Sequence, residues 1–474
     1  LIGAFLLPGG HDMVRLSRAV LCLLSVGVIA CQPIQASPSH ASLFGQTTVS
    51  FRGDFSKLGT IQTVTVGGNR IYDLDGGPEV ITGTLQGAEN SGPAEVDVVG
   101  DKGHLNAPGA FTYDPPLAHV PRKWVAFGAS LTMGFQSLGL SSHSQTHSGA
   151  ADVARAAGVY LGLPLFEPTA IPELETTNFN PQCHQTSSPP ALGSYVIMDP
   201  VAARVDPTLS ALRNLAVGGS TVSDVLNGGV EPAVALQENI VEDPSIAGVD
   251  VFNQPGESQI DRIVALDPDV GLSTDLLAND VDGSVVQPDD LAPDLVTPVS
   301  VVAPLLNTMM ARLGKLHGQF FIATLPYLTF IPGVVELRAT RLASGMDTAA
   351  SFDAKIQAIN TGTDQLNAAL VAAMAPYPNL HVVDFHSEAM QELTQGIVVN
   401  GQTLTVAQFG GLLSFDGLHF SDTGYGLLAN LFIDAMNPVL GTEIPHVDLA
   451  ALLAQDPYSP TTLRAAGFSC TTGQ

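Results

Sequence analysis

The chain has 474 residues, 45% of them hydrophobic and only 13% charged, and carries a formal net charge of -27 from 18 Lys+Arg against 45 Asp+Glu. That length exceeds one ordinary domain and buries a full-sized core. The acidic balance offers no cationic footprint for phosphates, which excludes nucleic acid as a partner, and it opposes electrostatic adhesion to an anionic membrane.

The first readable element is MVRLSRAVLCLLSVGVIAC, from Met13 to Cys31. Arg15 and Arg18 precede a short apolar run, the pattern of a secretory signal, and the run falls short of the roughly 20 residues that span a bilayer. The closing VIAC resembles the lipobox of bacterial lipoproteins. That resemblance implies cleavage before Cys31, lipidation of Cys31 and a place in the bacterial cell envelope as an outer-membrane lipoprotein, with full secretion as the alternative. Residues 1–31 are therefore set apart as upstream residues and signal. Of the four cysteines, Cys183 and Cys470 remain after export, where an oxidising compartment permits a disulfide between them without requiring it. Neither has a second cysteine at ligand spacing, so no metal site is expected there.

Residues 32–42, QPIQASPSHAS, have linker composition. Over 43–115, TTVSFRG, IQTVTVGG, EVITGTLQG, AEVDVVGDKG and GAFTYDP read as short strands between glycine-containing turns. No helix-period run interrupts them, so a small β-sandwich is expected. The stretch SGPAEVDVVGDKGHLNAPGAFTYDPP is similar to the last strands of the immunoglobulin-like IPT/TIG domain family. The resemblance implies a spacer or binding module with an envelope partner, and the segment holds no catalytic constellation.

From Trp124 the pattern changes. WVAFG, the start of LRNLAVGGSTVSDVL, FFIATLP and NLHVVDFH are strand candidates; ADVARAAGVYLG, NTGTDQLNAALVAAM and TGYGLLANLFIDAMNPVL are helix candidates. Such alternation predicts an α/β domain over 116–436 with helices on both faces of a parallel sheet. Residues 437–474 read as an extended C-terminal tail with one short helix, and VDGSVVQPDDLAPDLVTPVS, 281–300, as a loop or lid.

Loops at the carboxyl ends of parallel strands converge on one crevice. Four stretches occupy such places: GASLTMG with Ser130, NLAVGGST with Gly218 and Gly219, LLAND with Asn279, and SFDGLHFSDTGY with Asp416 and His419. Singly each has an ordinary reading: a helix N-cap, a tight turn, an Asn-Asp turn, a surface turn. Together they fill the roles of acyl transfer. A serine hydroxyl needs a base, histidine titrates in the right range, a carboxylate orients that histidine, and the oxyanion needs converging N–H donors.

This ordered set is identified as a member of the GDSL-type, or SGNH, serine hydrolase family, over about 120–436. The resemblance implies a flavodoxin-like three-layer α/β/α fold and ester hydrolysis on lipid, acyl or carbohydrate esters. It makes Ser130 the nucleophile, His419 the base and acid, and Asp416 its partner. The oxyanion hole falls to the main-chain N–H groups of Ser130 and Gly219 and to the Asn279 side chain, with no cofactor and no metal.

Two departures stand out. Ala129 replaces the Asp of the family's Gly-Asp-Ser, so Ala129→Asp is expected to retain or raise activity if a hydrogen-bond network receives the carboxylate, and to destabilise otherwise. Leu277 replaces a glycine before Asn279 and threatens to displace it, while Asp275 interrupts an otherwise apolar strand. Asp384 and His386 read as structural or substrate-binding residues, and DLDGG and NDVDGS as surface turns rather than calcium loops. The competing function is a degenerate hydrolase serving as a glycan- or protein-binding envelope lipoprotein.

Overall fold

A computed structural model describes residues 33–166, 173–181, 183–187, 204–206, 209, 211–228, 257–287 and 289–468, with the backbone alone over 390–394. The expected signal, Cys31 and Cys470 lie outside the described residues. Cys183 is disulfide-bonded.

The chain divides into two compact units, the first comprising 33–40, 48–85 and 93–112 among the described residues. Its strands are β1 (Ile34–Ser37), β2 (His40–Ser42), β3 (Thr48–Gly53), β4 (Ile61–Val66), β5 (Asn69–Arg70), β6 (Tyr72–Gly76), β7 (Val80–Thr84), β8 (Gly92–Gly100) and β9 (Gly103–Asp114). They form two sheets, ordered β1-β3-β7-β6 and β2-β9-β8-β4-β5. Alternation decides which side chains turn inward: Val49 and Phe51 on β3, Val64 and Val66 on β4, and Ala94, Val96 and Val98 on β8 are all buried. The five strands expected from the sequence are present. Residues 34–42 are not a linker, because β1 pairs antiparallel with β3 and seats a fully buried Ile34 opposite Gly53. DLDGG likewise falls within or beside β6 instead of forming a turn.

In the second unit the parallel strands are β10 (Trp124–Ala126), β11 (Val270–Ser273), β12 (Gln319–Ala323) and β13 (Leu380–Val383), adjacent in that order. The backbone of 213–217 runs alongside β10: Ala126 N donates to Arg213 O at 2.9 Å, and Leu215 N to Ala126 O at 2.7 Å. All residues of β10 and β11 and all of β12 but Gln319 are buried, as expected of a sheet covered on both faces, while His381 and Val382 of β13 are more open.

The helices are α1 (Ser130–Met133), α2 (Ser142–Thr146), α3 (Gly149–Ala157), α4 (Val222–Asn227), α5 (Gln259–Leu266), α6 (Val299–Leu313), α7 (Pro332–Ser344), α8 (Ala349–Met374), α9 (Phe385–Gln395), α10 (Asp422–Leu440), α11 (Leu449–Gln455) and α12 (Pro460–Ala465). A core cluster joins Val125, Phe127, Phe320 and Ile322 from the sheet to Ile260 and Ile263 of α5, Leu306 and Met310 of α6, and Leu366 and Leu370 of α8. α10 packs on α3 and against β12 and β13. Gly271 is fixed by this packing, since a Cβ there would lie 2.2 Å from the Phe320 ring. Pro293–Leu313 is long and apolar enough to cross a membrane by length and composition, yet Val302, Leu306, Met309, Met310 and Leu313 within it are core residues.

Two expectations change here. Val281, Val285 and Leu291 belong to the core cluster, so the 281–300 segment is a packed connector built of 3-10 turns, not a free lid. Among the described residues the C-terminal extension forms two helices. Asp448 caps α11, and Pro460 with Ser459 starts α12.

Candidate active site

Ser130 opens α1 immediately after the turn that leaves β10. A helix start leaves its first N–H groups without intrahelical partners. Here Asp275, just past the end of β11, receives them: Ala129 N donates to its Oδ1 at 2.9 Å, and Leu131 N and Thr132 N donate to its Oδ2 at 2.6 and 3.4 Å. The Thr132 hydroxyl lies 2.6 Å from Oδ1. Gly128 makes this approach feasible, because its φ is +133° and a Cβ would sit 2.5 Å from Asp275 Oδ1. Gln259 grips both sides of Gly128, accepting from its N–H at 2.8 Å and donating to its carbonyl at 2.9 Å. Burial pushes the Asp275 carboxyl up in pKa, opposed by the Thr132 hydroxyl and then the three amides. Among the described residues the Ser130 N–H and hydroxyl have no hydrogen-bond partner.

Asp416 and His419 close one turn. Their Oδ2 and Nδ1 atoms lie 2.7 Å apart, and Oδ1 accepts from the backbone N–H groups of Leu418 at 2.8 Å and His419 at 2.9 Å. Leu138 N donates to Oδ2 at 2.7 Å, joining this turn to the segment after α1. Both side chains are buried. Burial opposes ionisation of Asp416 most strongly, but the His419 charge and these hydrogen bonds outweigh it and hold the carboxyl below its ordinary range. The Phe135 ring lies 5.7 Å from the His419 ring, and Phe135 N donates to Ser130 O at 2.9 Å. Phe135 thus adjoins both Ser130 and His419, and among the described residues no direct hydrogen bond joins those two.

The remaining blocks are tied to each other and to the nucleophile turn. Val217 N donates to Gly128 O at 3.2 Å, Asn279 Nδ2 donates to Ser220 O at 3.0 Å, and Asp280 Oδ2 accepts from Val222 N at 2.9 Å. Gly219 has φ +82° and, among the described residues, an unbonded N–H. The Leu277 side chain is buried in the core cluster. Asp282 stands near enough to His419 to feel its charge, and burial pushes its carboxyl up to about 6.

Asp384 and His386 both hydrogen-bond backbone near the end of β13. Asp384 Oδ1 accepts from Ser387 N at 3.0 Å at the start of α9, and His386 Nδ1 lies 2.9 Å from Leu325 O. The sequence marks Asp275 only as a break in an apolar strand and does not mark Gln259 at all. Asp275 obeys the same rule that found the other blocks, a polar residue at the carboxyl end of a parallel strand; Gln259 has no local signal.

The family profile described as GDSL-like Lipase/Acylhydrolase matches residues 125–432. No curated protein matches the chain. Among solved structures, the acetylxylan esterase Axe2 of Geobacillus stearothermophilus is 15% identical with a TM-score of 0.32, covering 68% of this chain and 95% of its own. LAE5, an alpha/beta hydrolase enzyme from the metagenome of Lake Arreo, Spain, is 16% identical with a TM-score of 0.30, covering 67% and 97% respectively. A carbohydrate acetylesterase from Xanthomonas citri is 13% identical with a TM-score of 0.22, covering 72% and 65%.

Proposed function

The chain belongs to the GDSL-like lipase/acylhydrolase family of serine-type carboxylic-ester hydrolases, and on that premise we propose that Ser130, His419 and Asp416 hydrolyse an ester through an acyl-serine intermediate. The Ser130 Oγ–H gives its proton to His419 Nε2 as Oγ bonds to the ester carbonyl carbon. The negative oxygen of the tetrahedral intermediate is met by the N–H groups of Ser130 and Gly219 and by the second amide hydrogen of Asn279, whose first is engaged by Ser220 O. The carbon–oxygen bond to the alcohol then breaks, and the leaving alkoxide takes the proton from His419. Water repeats the sequence on the acyl-serine and frees the acid. Asp416 keeps the imidazole in the tautomer with hydrogen on Nδ1.

The observation that carries this reading is the distribution of N–H groups at the start of α1. Asp275 takes those of Ala129, Leu131 and Thr132 and leaves that of Ser130 unbonded. The strand order, with 213–217 outside β10 and then β11, β12 and β13, supports the flavodoxin-like description. The two sheets of the N-terminal unit support an Ig-like sandwich serving as a spacer or binding module. Export and a lipid anchor at Cys31 rest on the sequence pattern of 13–31.

Short acyl esters test the assignment. Ser130→Ala and His419→Ala, each folded, are expected to lower kcat by about 10³-fold or more, and Asn279→Ala by about 10²–10³-fold. An organophosphonate is expected to label Ser130. Equal turnover in wild type and Ser130→Ala would overturn the mechanism.

A further inference from the structure

Apart from the residues proposed for acyl transfer, the α2 segment and the start of α10 bring two imidazoles to one carboxylate. His143 and His147 stand one helical turn apart. His143 Nε2 lies 3.1 Å from Asp422 Oδ2, and the two imidazole rings are 4.4 Å apart between centroids. His147 Nδ1 lies 2.8 Å from the His143 carbonyl oxygen, so Nδ1 carries the hydrogen and Nε2 keeps its lone pair. Metal-bound histidines are oriented in this way, by a carbonyl on the other ring nitrogen. Gln136 Nε2 donates to Asp422 Oδ1 at 2.9 Å and fixes the carboxylate from its far side.

We infer that His143, His147 and Asp422 form a binding site for a divalent cation of the zinc class. One donor atom from each residue lies within 4.8 Å of the others. Donors around a tetrahedral zinc, at bond lengths of about 2.0–2.1 Å, stand roughly 3.4 Å apart. Closure therefore needs a small rotation, which His143 can make because half of its side chain is exposed. Two imidazoles and one carboxylate suit zinc and its transition-metal neighbours better than magnesium or calcium, which take oxygen ligands, and leave a fourth position for water.

A second observation points the same way. Gln136 Oε1 and Asp152 Oδ2 are buried without a hydrogen-bond partner. Burial, with a contribution from Asp422, pushes the Asp152 carboxyl up to about 7 although Arg155 pairs with it. Buried acceptor oxygens are thus left without a donor next to the Asp422 carboxylate that Gln136 holds. Bound there, the ion would fasten the segment following Ser130 to the first turn of α10, three residues beyond His419, and take no part in the acyl-transfer steps.

The test is calorimetric titration of the chelator-stripped full chain with zinc, paired with thermal unfolding. The expected result is saturable binding at this site with a rise in Tm, weakened at least tenfold in both His143→Ala and His147→Ala. His446→Ala, which removes a surface ring paired with Asp434, leaves binding unchanged. Cobalt in place of zinc is expected to give visible d–d bands that His143→Ala abolishes. No saturable binding by wild type overturns the inference, as does wild-type affinity in His143→Ala. That variant loses a half-exposed side chain and keeps the fold, so the result does not depend on how His147→Ala folds.

Discussion

Asp275 carries the turn at Ser130, the proposed nucleophile. Its two oxygens hold the N–H groups on either side of Ser130, the function that Ala129 has no side chain to share. Asp275→Asn keeps the volume but loses one acceptor oxygen and the charge. It is expected to lower kcat by about 10- to 100-fold, the equivalent of about 1–3 kcal/mol, with KM little changed. A KM rise with kcat intact, in a folded variant, would assign Asp275 to substrate binding instead. The same geometry decides between the two outcomes open to Ala129→Asp. The hydrogen-bond network is already occupied and Ala129 is fully buried, so a second carboxylate one residue from Asp275 is expected to lower both Tm and turnover. A variant as stable as wild type and more active would show that the turn had room for it.

At the scale of elements, the C-terminal helices act as part of the site's support. Asp456, between α11 and α12, accepts from the Thr423 N–H at 2.9 Å and from its hydroxyl at 2.6 Å, which anchors the first turn of α10. Tyr458 packs edge-on against Phe415 with ring centroids 4.8 Å apart, and Phe415 immediately precedes Asp416. Tyr458, Phe415, Phe179, Phe409 and Phe468 form one aromatic cluster, with Cys183 packed against it. Tyr458→Ala is expected to cost about 3–5 kcal/mol of stability and to reduce kcat below the unfolding temperature, because the Asp416 turn loses its backing. Val439→Ala, at an exposed position on α10, is the control and should change neither. Thermal unfolding and steady-state kinetics on the same preparations separate the two variants.

For the whole molecule, buried carboxyl groups set the response to pH. Burial raises Asp152 to about 7 and Asp282 to about 6, and raises Asp456 as well. A carboxyl with a folded pKa above its unfolded value of about 3.9 contributes stability that is complete below that value and lost as pH rises through the folded one. These groups therefore lose their contribution between about pH 4 and pH 7. Asp416 has the opposite sign: its contribution is present above about pH 4 and lost on further acidification. A formal charge of -27 adds self-repulsion as the carboxyls ionise. Tm is expected to peak near pH 5 and to fall toward pH 8, measured by thermal unfolding at fixed ionic strength. A Tm at pH 8 equal to or above that at pH 5 would contradict this account.

Much of the molecule was legible without coordinates because its information is local. The Asp416-Gly-Leu-His419 turn needs only adjacent residues to bring carboxylate and imidazole together, and the strand-to-helix turns at Ser130 and Gly219 announce themselves through small residues after apolar runs. What sheet register decides was hidden. Asp275 read as a flaw in a strand because only the pairing of β10 with β11 puts it under the start of α1. That Leu277 packs into the core was equally invisible, because its neighbours there come from distant segments. Ile34 read as linker because its partner strand lies beyond two intervening turns, and Asp422 joins His143 and His147 only when α10 folds back on α3. Composition and short spacings determined the class of chemistry. Long-range hydrogen bonds and burial, which form only when distant segments meet, decided what holds that chemistry in place.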